Sequence, residues 1–161
     1  MKLTTAYIEH TVEFDTPISL YMKLRDHFIN PILLESNYHL NERNARSIIA
    51  LDPIADFKVQ NGQVTKSFPD GKSEQQQLNN PLEVSALFQS FIQQFEVEMP
   101  EDRDLINGFF GYSSFDSVQY FDTLEFPDEK RKMDIPDIHY SLYRYVIVTD
   151  HPRQIVYVLQ N

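Results

Sequence analysis

Cysteine is absent from the 161 residues, which excludes disulfides and thiolate chemistry and is compatible with a reducing compartment. Basic residues are scarce: 14 Lys and Arg stand against 24 Asp and Glu, a formal net charge of -10. So acidic a surface disfavours nucleic acid or an anionic membrane as the main partner, since both need basic groups. No apolar run approaches the roughly 20 residues that span a bilayer. Met1-Lys2-Leu3-Thr4-Thr5 has no apolar signal core. These absences point to a soluble, cytoplasmic protein with no nucleic acid and no membrane among its partners. What the chain has in number is aromatic, with twelve Phe and nine Tyr in a composition that is 42% hydrophobic. That favours a packed core over disorder, and the length suits one domain over residues 1–161.

Taken in order, residues 7–14 partly alternate and read as a half-buried strand. Thr16 is an N-cap with Pro17 behind it. Leu20, Tyr21, Leu24 and Phe28 then recur at helical spacing, so the pattern predicts an amphipathic helix over 17–28. Pro31-Ile32-Leu33-Leu34-Glu35-Ser36 is an apolar run that ends in a carboxylate and a hydroxyl. It reads as a strand buried on both faces, with its polar end available to a ligand. Residues 37–45 read as a loop. Ser47-Ile48-Ile49-Ala50-Leu51 is a second buried strand, closed by the turn signal Asp52-Pro53. Asn61-Gly62 between strand-like runs predicts a hairpin. The polar stretch 68–79 reads as a mobile loop. Asn80-Pro81-Leu82-Glu83 starts a helix whose apolar stripe is Val84, Leu87, Phe88, Phe91, Ile92 and Phe95. Only four glycines occur, and two fall in Gly108-Phe109-Phe110-Gly111-Tyr112, where a glycine marks a bend or a close backbone approach. Ser113 and Ser114 then cap a short helix, and 122–137 is a charged loop. Residues 138–149 and 154–159 form a hairpin around Asp150-His151-Pro152-Arg153. The second of these strands runs almost to Asn161, which leads us to expect a longer parent chain. The sum is an α+β fold, a mostly antiparallel sheet with the two helices packed on it.

Motifs that carry chemistry are few. Gly71-Lys72-Ser73 mimics the end of a phosphate loop, but Lys66 stands where the upstream glycine belongs. The acids around 98–104 lack EF-hand spacing, and the five histidines are scattered, so no metal ligands are assigned. There is no Gly-x-Ser-x-Gly elbow. Glu35, Asp52, Asp116 and Glu125 could pair as acids, but spacing gives them no geometry. No catalytic residue is assigned.

Two stretches in this order carry a resemblance. The first is Leu33-Leu34-Glu35-Ser36, then Glu42-Arg43, Arg46 and Ser47-Ile48-Ile49-Ala50-Leu51-Asp52-Pro53. The second runs from Gly108-Phe109-Phe110-Gly111-Tyr112 through Ser113-Ser114-Phe115-Asp116 to Asp122. Together they resemble the N-terminal domain of anthranilate synthase component I, over nearly the whole chain except some polar residues around Gly71. Asn44-Ala45 stand where family members often carry a glycine and an aromatic. The resemblance implies a full-length lyase that converts chorismate and ammonia to anthranilate and pyruvate, with Mg2+ bound and a glutamine amidotransferase subunit as partner. It implies that the chorismate and metal residues lie in a C-terminal domain absent here. This part then contributes the feedback site for tryptophan, with Leu34, Glu35 and Ser36 matching the contact motif and Arg46 a nearby basic position. No cofactor is expected in the fragment itself, and the fragment alone is expected to be inactive and to self-associate through apolar surface. Alternatives are the related component of 4-aminobenzoate synthase and a free-standing amino-acid-binding module.

Overall fold

The computed structural model describes residues 1–11, 16–35, 45–100, 105–122 and 134–161. Residues 37–44 of the predicted loop, the acidic residues at 101–104 and most of the 122–137 loop lie outside the described residues. Among the described residues the strands are β1 (Lys2–Thr4), β2 (Ala6–Thr11), β3 (Ile32–Glu35), β4 (Arg46–Gln60), β5 (Gln63–Ser67), β6 (Ser73–Gln77), β7 (Glu96–Glu98), β8 (Phe109–Ser113), β9 (Ile138–Asp150) and β10 (Ile155–Gln160). Helix α1 spans Pro17–Leu24 and α2 Val84–Ile92, with short 3-10 helices at Pro81–Glu83 and Phe115–Tyr120. Hydrogen bonding orders the strands β2-β10-β9-β4-β5-β6, with β3 on β4 and β8 on β9, while β1 and β7 form a separate ladder. The pairings β2–β10, β9–β10, β3–β4, β4–β5, β5–β6 and β8–β9 are antiparallel. This agrees with the predicted class. Contacts cluster into two units, one of Lys2–Pro53, Val97–Gly108 and Tyr143–Asn161, the other of Met1, Ile54–Glu96 and Phe109–Leu142. Strands β4 and β9 contribute residues to both.

In the unit that contains α1, the helix starts as its sequence predicts. Thr16 Oγ1 accepts the Ser19 N–H at 3.1 Å, and Pro17 takes the first turn, where no intrahelical donor is needed. The helix stops at Leu24, short of the predicted 28. Leu20, Tyr21 and Leu24, with Phe28 beyond the helix, pack on a cluster of Ile49, Leu51, Ile147 and Val156. Two predictions fail here. Strand β3 pairs with β4 and stays partly exposed (Leu34 at 38%), so it is a half-covered strand rather than one buried on both faces. Asp52-Pro53 does not end a strand, because β4 runs through it for 15 residues. Asp52 takes φ +55°, and its carboxylate accepts the Ile29 N–H at 2.9 Å while its own N–H donates to the Ile29 carbonyl at 3.2 Å. A residue that tolerates left-handed φ, tied at both ends to a neighbouring segment, lets the strand pass a turn signal.

In the unit that contains α2, Asn61 (φ +52°) and Gly62 (φ +71°) make the predicted two-residue turn, with Val59 opposite Val64. The stretch read as a mobile loop contains β6, paired residue by residue with β5 from Ser67↔Ser73 to Gln63↔Gln77. Its side chains are all exposed, so no apolar alternation signals it, and main-chain bonds alone define it. Asn80 Oδ1 accepts the Leu82 N–H at 3.0 Å and starts the helical segment. Of the predicted stripe, Val84 and Phe91 are core, Leu87, Phe88 and Phe95 are half-buried with Phe95 beyond the end of α2, and Ile92 is exposed at 38%. Phe91 is fully buried, with ring centroids of Phe57, Phe68, Phe95 and Phe109 all within 5.7 Å of its own. Gly111 confirms the predicted close approach, since a Cβ there would stand 1.9 Å from the His139 carbonyl oxygen across the β8–β9 ladder.

A polar clip sits beside that core. Ser141 Oγ donates to Asp56 Oδ1 at 2.6 Å, and His139 Nε2 lies 3.2 Å from the same oxygen. Burial pushes the Asp56 carboxyl up, but the bonds from His139 and Ser141 and the charges of His139 and Lys58 outweigh it, leaving it below the ordinary carboxylate value.

Phe91→Ala removes the ring that four others meet, and we expect a loss of about 3–5 kcal/mol in urea unfolding. A change below 1 kcal/mol would show that α2 is not anchored there. For Asp56 the folded carboxyl titrates below the unfolded one. Its stabilisation is therefore complete above about pH 4 and disappears as pH falls through the folded value. Asp56→Asn should lower the melting temperature at pH 7, and the gap from the native protein should close towards pH 2. A gap that stays constant with pH would mean that the charge contributes nothing.

Candidate functional site

Of the residues singled out from the sequence, Leu34, Glu35 and Arg46 lie along the end of the β3–β4 pair. Register places Leu33 opposite Ile49, Leu34 opposite Ile48 and Glu35 opposite Ser47, with Arg46 next along β4. Side chains alternate along a strand, so Leu34 shares a face with Ile48 and Arg46. Glu35 falls on the other face with Leu33, Ser47 and Ile49. The structure thus places Leu34 and Arg46 on one face and sets Glu35, exposed, across the pleat from them. Ser36 lies outside the described residues.

The tip of the β9–β10 hairpin closes on the start of β4. Arg46 Nη2 is 3.6 Å from Asp150 Oδ2, and Arg153 Nη1 is 3.6 Å from the same oxygen. The Asp150 side chain is 6% exposed and that of Arg46 20%, whereas Arg153 is 57% exposed. The Arg153 N–H donates to Asp150 Oδ1 at 3.2 Å. Ser47 Oγ and His151 Nε2 are 2.8 Å apart, and the His151 N–H donates to the Ala45 carbonyl at 3.2 Å. Two guanidinium groups stand on one buried carboxylate, while Glu35 stands exposed on the opposite face of the strand end. A guanidinium suits a carboxylate and Glu35 suits an ammonium.

Asp150, His151, Arg153 and Ser47 are the parts of this arrangement that sequence reasoning missed. Asp150-His151-Pro152-Arg153 carries a turn signal, and a turn is what it makes. A histidine and two charged residues in one hairpin turn were the available hint. Spacing along the chain could not place them on a strand about a hundred residues earlier.

The other chemical groupings are of a different kind. Asp56, His139 and Ser141 are the residue types of a hydrolytic triad. However, Ser141 bonds the carboxylate directly and is buried at 3%, so no nucleophile faces a substrate. Asp52, one of the candidate acids, is bound to the Ile29 backbone, and Glu125 lies outside the described residues. Gly71-Lys72-Ser73 forms a turn in which Lys72 Nζ is 2.7 Å from Asp70, followed by β6 rather than a helix, so it is no phosphate loop. A polar recess of about 440 Å3 lies over β4, β5 and β6, with Lys58, Thr65 and Gln75 in one cross-strand row and Gln60, Gln63 and Gln77 in the next. None of the predicted site residues lines it. Among the described residues no helix is long and apolar enough to cross a membrane.

No family model matches the sequence. Curated relatives do. Anthranilate synthase component 1 of Lactococcus lactis subsp. lactis (strain IL1403) is 29% identical over 147 residues, 91% of this chain and 30% of the relative. The protein of the same name from Acinetobacter calcoaceticus is 28% identical over 159 residues, 95% of this chain and 31% of the relative. Among solved structures, anthranilate synthase component I from Streptococcus pneumoniae TIGR4 superposes with a TM-score of 0.51 at 21% identity, covering 91% of this chain and 29% of that one. The resemblance read from Leu33-Leu34-Glu35-Ser36 and from the Gly108 segment is borne out: over nearly all its length the chain is similar to anthranilate synthase component I, and it spans about 30% of the curated relatives it matches.

Proposed function

We propose that residues 1–161 are the amino-terminal, regulatory domain of an anthranilate synthase component I. The complete protein converts chorismate and ammonia to anthranilate and pyruvate, and a glutamine amidotransferase subunit supplies the ammonia. This part carries the feedback site for tryptophan and is not catalytic alone. The observation that carries the reading is the match along 91–95% of the chain to two proteins of that name. Mg2+ belongs to the complete enzyme. Among the described residues no group of three or more His, Asp or Glu side chains could hold a metal ion.

Within the site, Arg46 pairs with the carboxylate of the amino acid and Leu34 lines the wall against its indole. Glu35 accepts from the ammonium around the strand end, and Ser36 adds a hydroxyl that can donate or accept. The ligand therefore straddles the end of β3, where the pleat has separated the two charges.

The product of the complete reading frame should form anthranilate from chorismate and ammonia. Formation of 4-amino-4-deoxychorismate instead would move the protein to the 4-aminobenzoate branch. Tryptophan should inhibit that product, and Ser36→Leu should raise the half-inhibiting concentration at least about tenfold, a loss near 1.4 kcal/mol. Inhibition unchanged by Ser36→Leu would remove the site from β3.

A further inference from the structure

At the start of β4 one buried carboxylate serves two cations. Arg46 Nη2 and Arg153 Nη1 each stand 3.6 Å from Asp150 Oδ2. At that separation both contacts are ion pairs rather than hydrogen bonds. Asp150 itself is fixed. It closes β9 opposite Ile155, is 4% exposed, and accepts the Arg153 N–H through its other oxygen. The two guanidinium groups differ in setting. Arg46 is mostly covered and shares its face with Leu34, whereas Arg153 rises from an exposed turn.

A buried carboxylate stripped of its cation is strongly unfavourable, so a lone arginine on Asp150 would be held there. A second arginine changes that balance. We propose that Arg153 is a positioning residue for the amino-acid site: it keeps Asp150 paired when Arg46 turns to the carboxylate of the bound amino acid. The inference rests on the reading of that site given above. Arg153 then acts at one remove, without touching the ligand. Its effect is confined to ligands with a free carboxylate, because only those ask Arg46 to leave Asp150. Asp150 restrains the unliganded Arg46, and Arg153 sets how strongly.

The test is calorimetric titration of the complete protein with L-tryptophan and with L-tryptophanamide, which lacks the carboxylate charge. The native protein should prefer tryptophan. Arg153→Gln should weaken tryptophan about tenfold and leave the amide unchanged. Arg153→Lys should restore the preference. Because Arg153 is exposed, these variants should keep the native melting temperature. In an Asp150→Asn background the carboxylate that Arg153 shares with Arg46 has lost its charge, so adding Arg153→Gln should then change nothing. Native affinity for tryptophan in Arg153→Gln, or equal weakening of tryptophan and amide, overturns the proposal while the site stands. A native protein that binds neither ligand overturns the site and the proposal together.

Discussion

The start of β4 depends on the carboxylate of Asp150. It is nearly inaccessible, so it is stable only in the company of cations and donors. The β9–β10 hairpin supplies one set from its own turn, the Arg153 backbone and side chain, and β4 supplies Arg46. The next residue in the turn extends the clamp, since His151 meets Ser47 through its ring and Ala45 through its N–H. Three consecutive residues of β4 and its approach are thereby tied to one hairpin tip. Register then carries the constraint onward: Ser47 fixes Glu35, and Ile48 fixes Leu34. A one-residue slip of β3 would exchange its two faces and put Leu33, not Leu34, beside Arg46.

Where local chemistry decides, the fold could be read from the chain. Asn61-Gly62 needs positive φ at both positions and has it, and Thr16 and Asn80 cap the segments they precede. Gly111 was legible for a related reason, because only a residue without Cβ tolerates a carbonyl so near. The misreadings share a cause. Asp52-Pro53 is a turn signal by residue type, but with Asp52 at left-handed φ and bonded to Ile29 the strand β4 continues through it. Ser73–Gln77 has no apolar pattern, yet its backbone completes the ladder on β5. Apolar residues 32–34 suggested a buried strand, but composition does not say how many neighbours a strand has. In each case the partner, distant or main-chain, overrides the local preference.

The site was legible in a different way. Leu34, Glu35 and Arg46 could be named from the sequence because a resemblance marked them, and the ladder does bring them to one strand end. Their division by the pleat follows from register, which no motif states. The partners of Arg46 and Ser47 were hidden by separation along the chain, 104 residues in the case of Ser47 and His151. Residue types alone also misled at Asp56, His139 and Ser141, where a familiar trio turns out to share one carboxylate oxygen.

These geometries bear on how a regulatory ligand could act. A ligand shifts an equilibrium only through a difference in affinity between two states. Such couplings are typically about 1–3 kcal/mol. A single hydrogen bond to a charged group is worth about the same, roughly 1.5–3 kcal/mol. Redirecting one guanidinium is therefore of the size that the proposed regulation would require. The packing points the same way. Ile49, Leu51, Ile147 and Val156 interlock beneath α1, and a packed core resists small displacements. The charged side chains at the end of β4 meet at ion-pair distance around a carboxylate with two cations. If any part of this unit exchanges between two arrangements at low cost, it is this layer of side chains, while the ladder beneath holds its register.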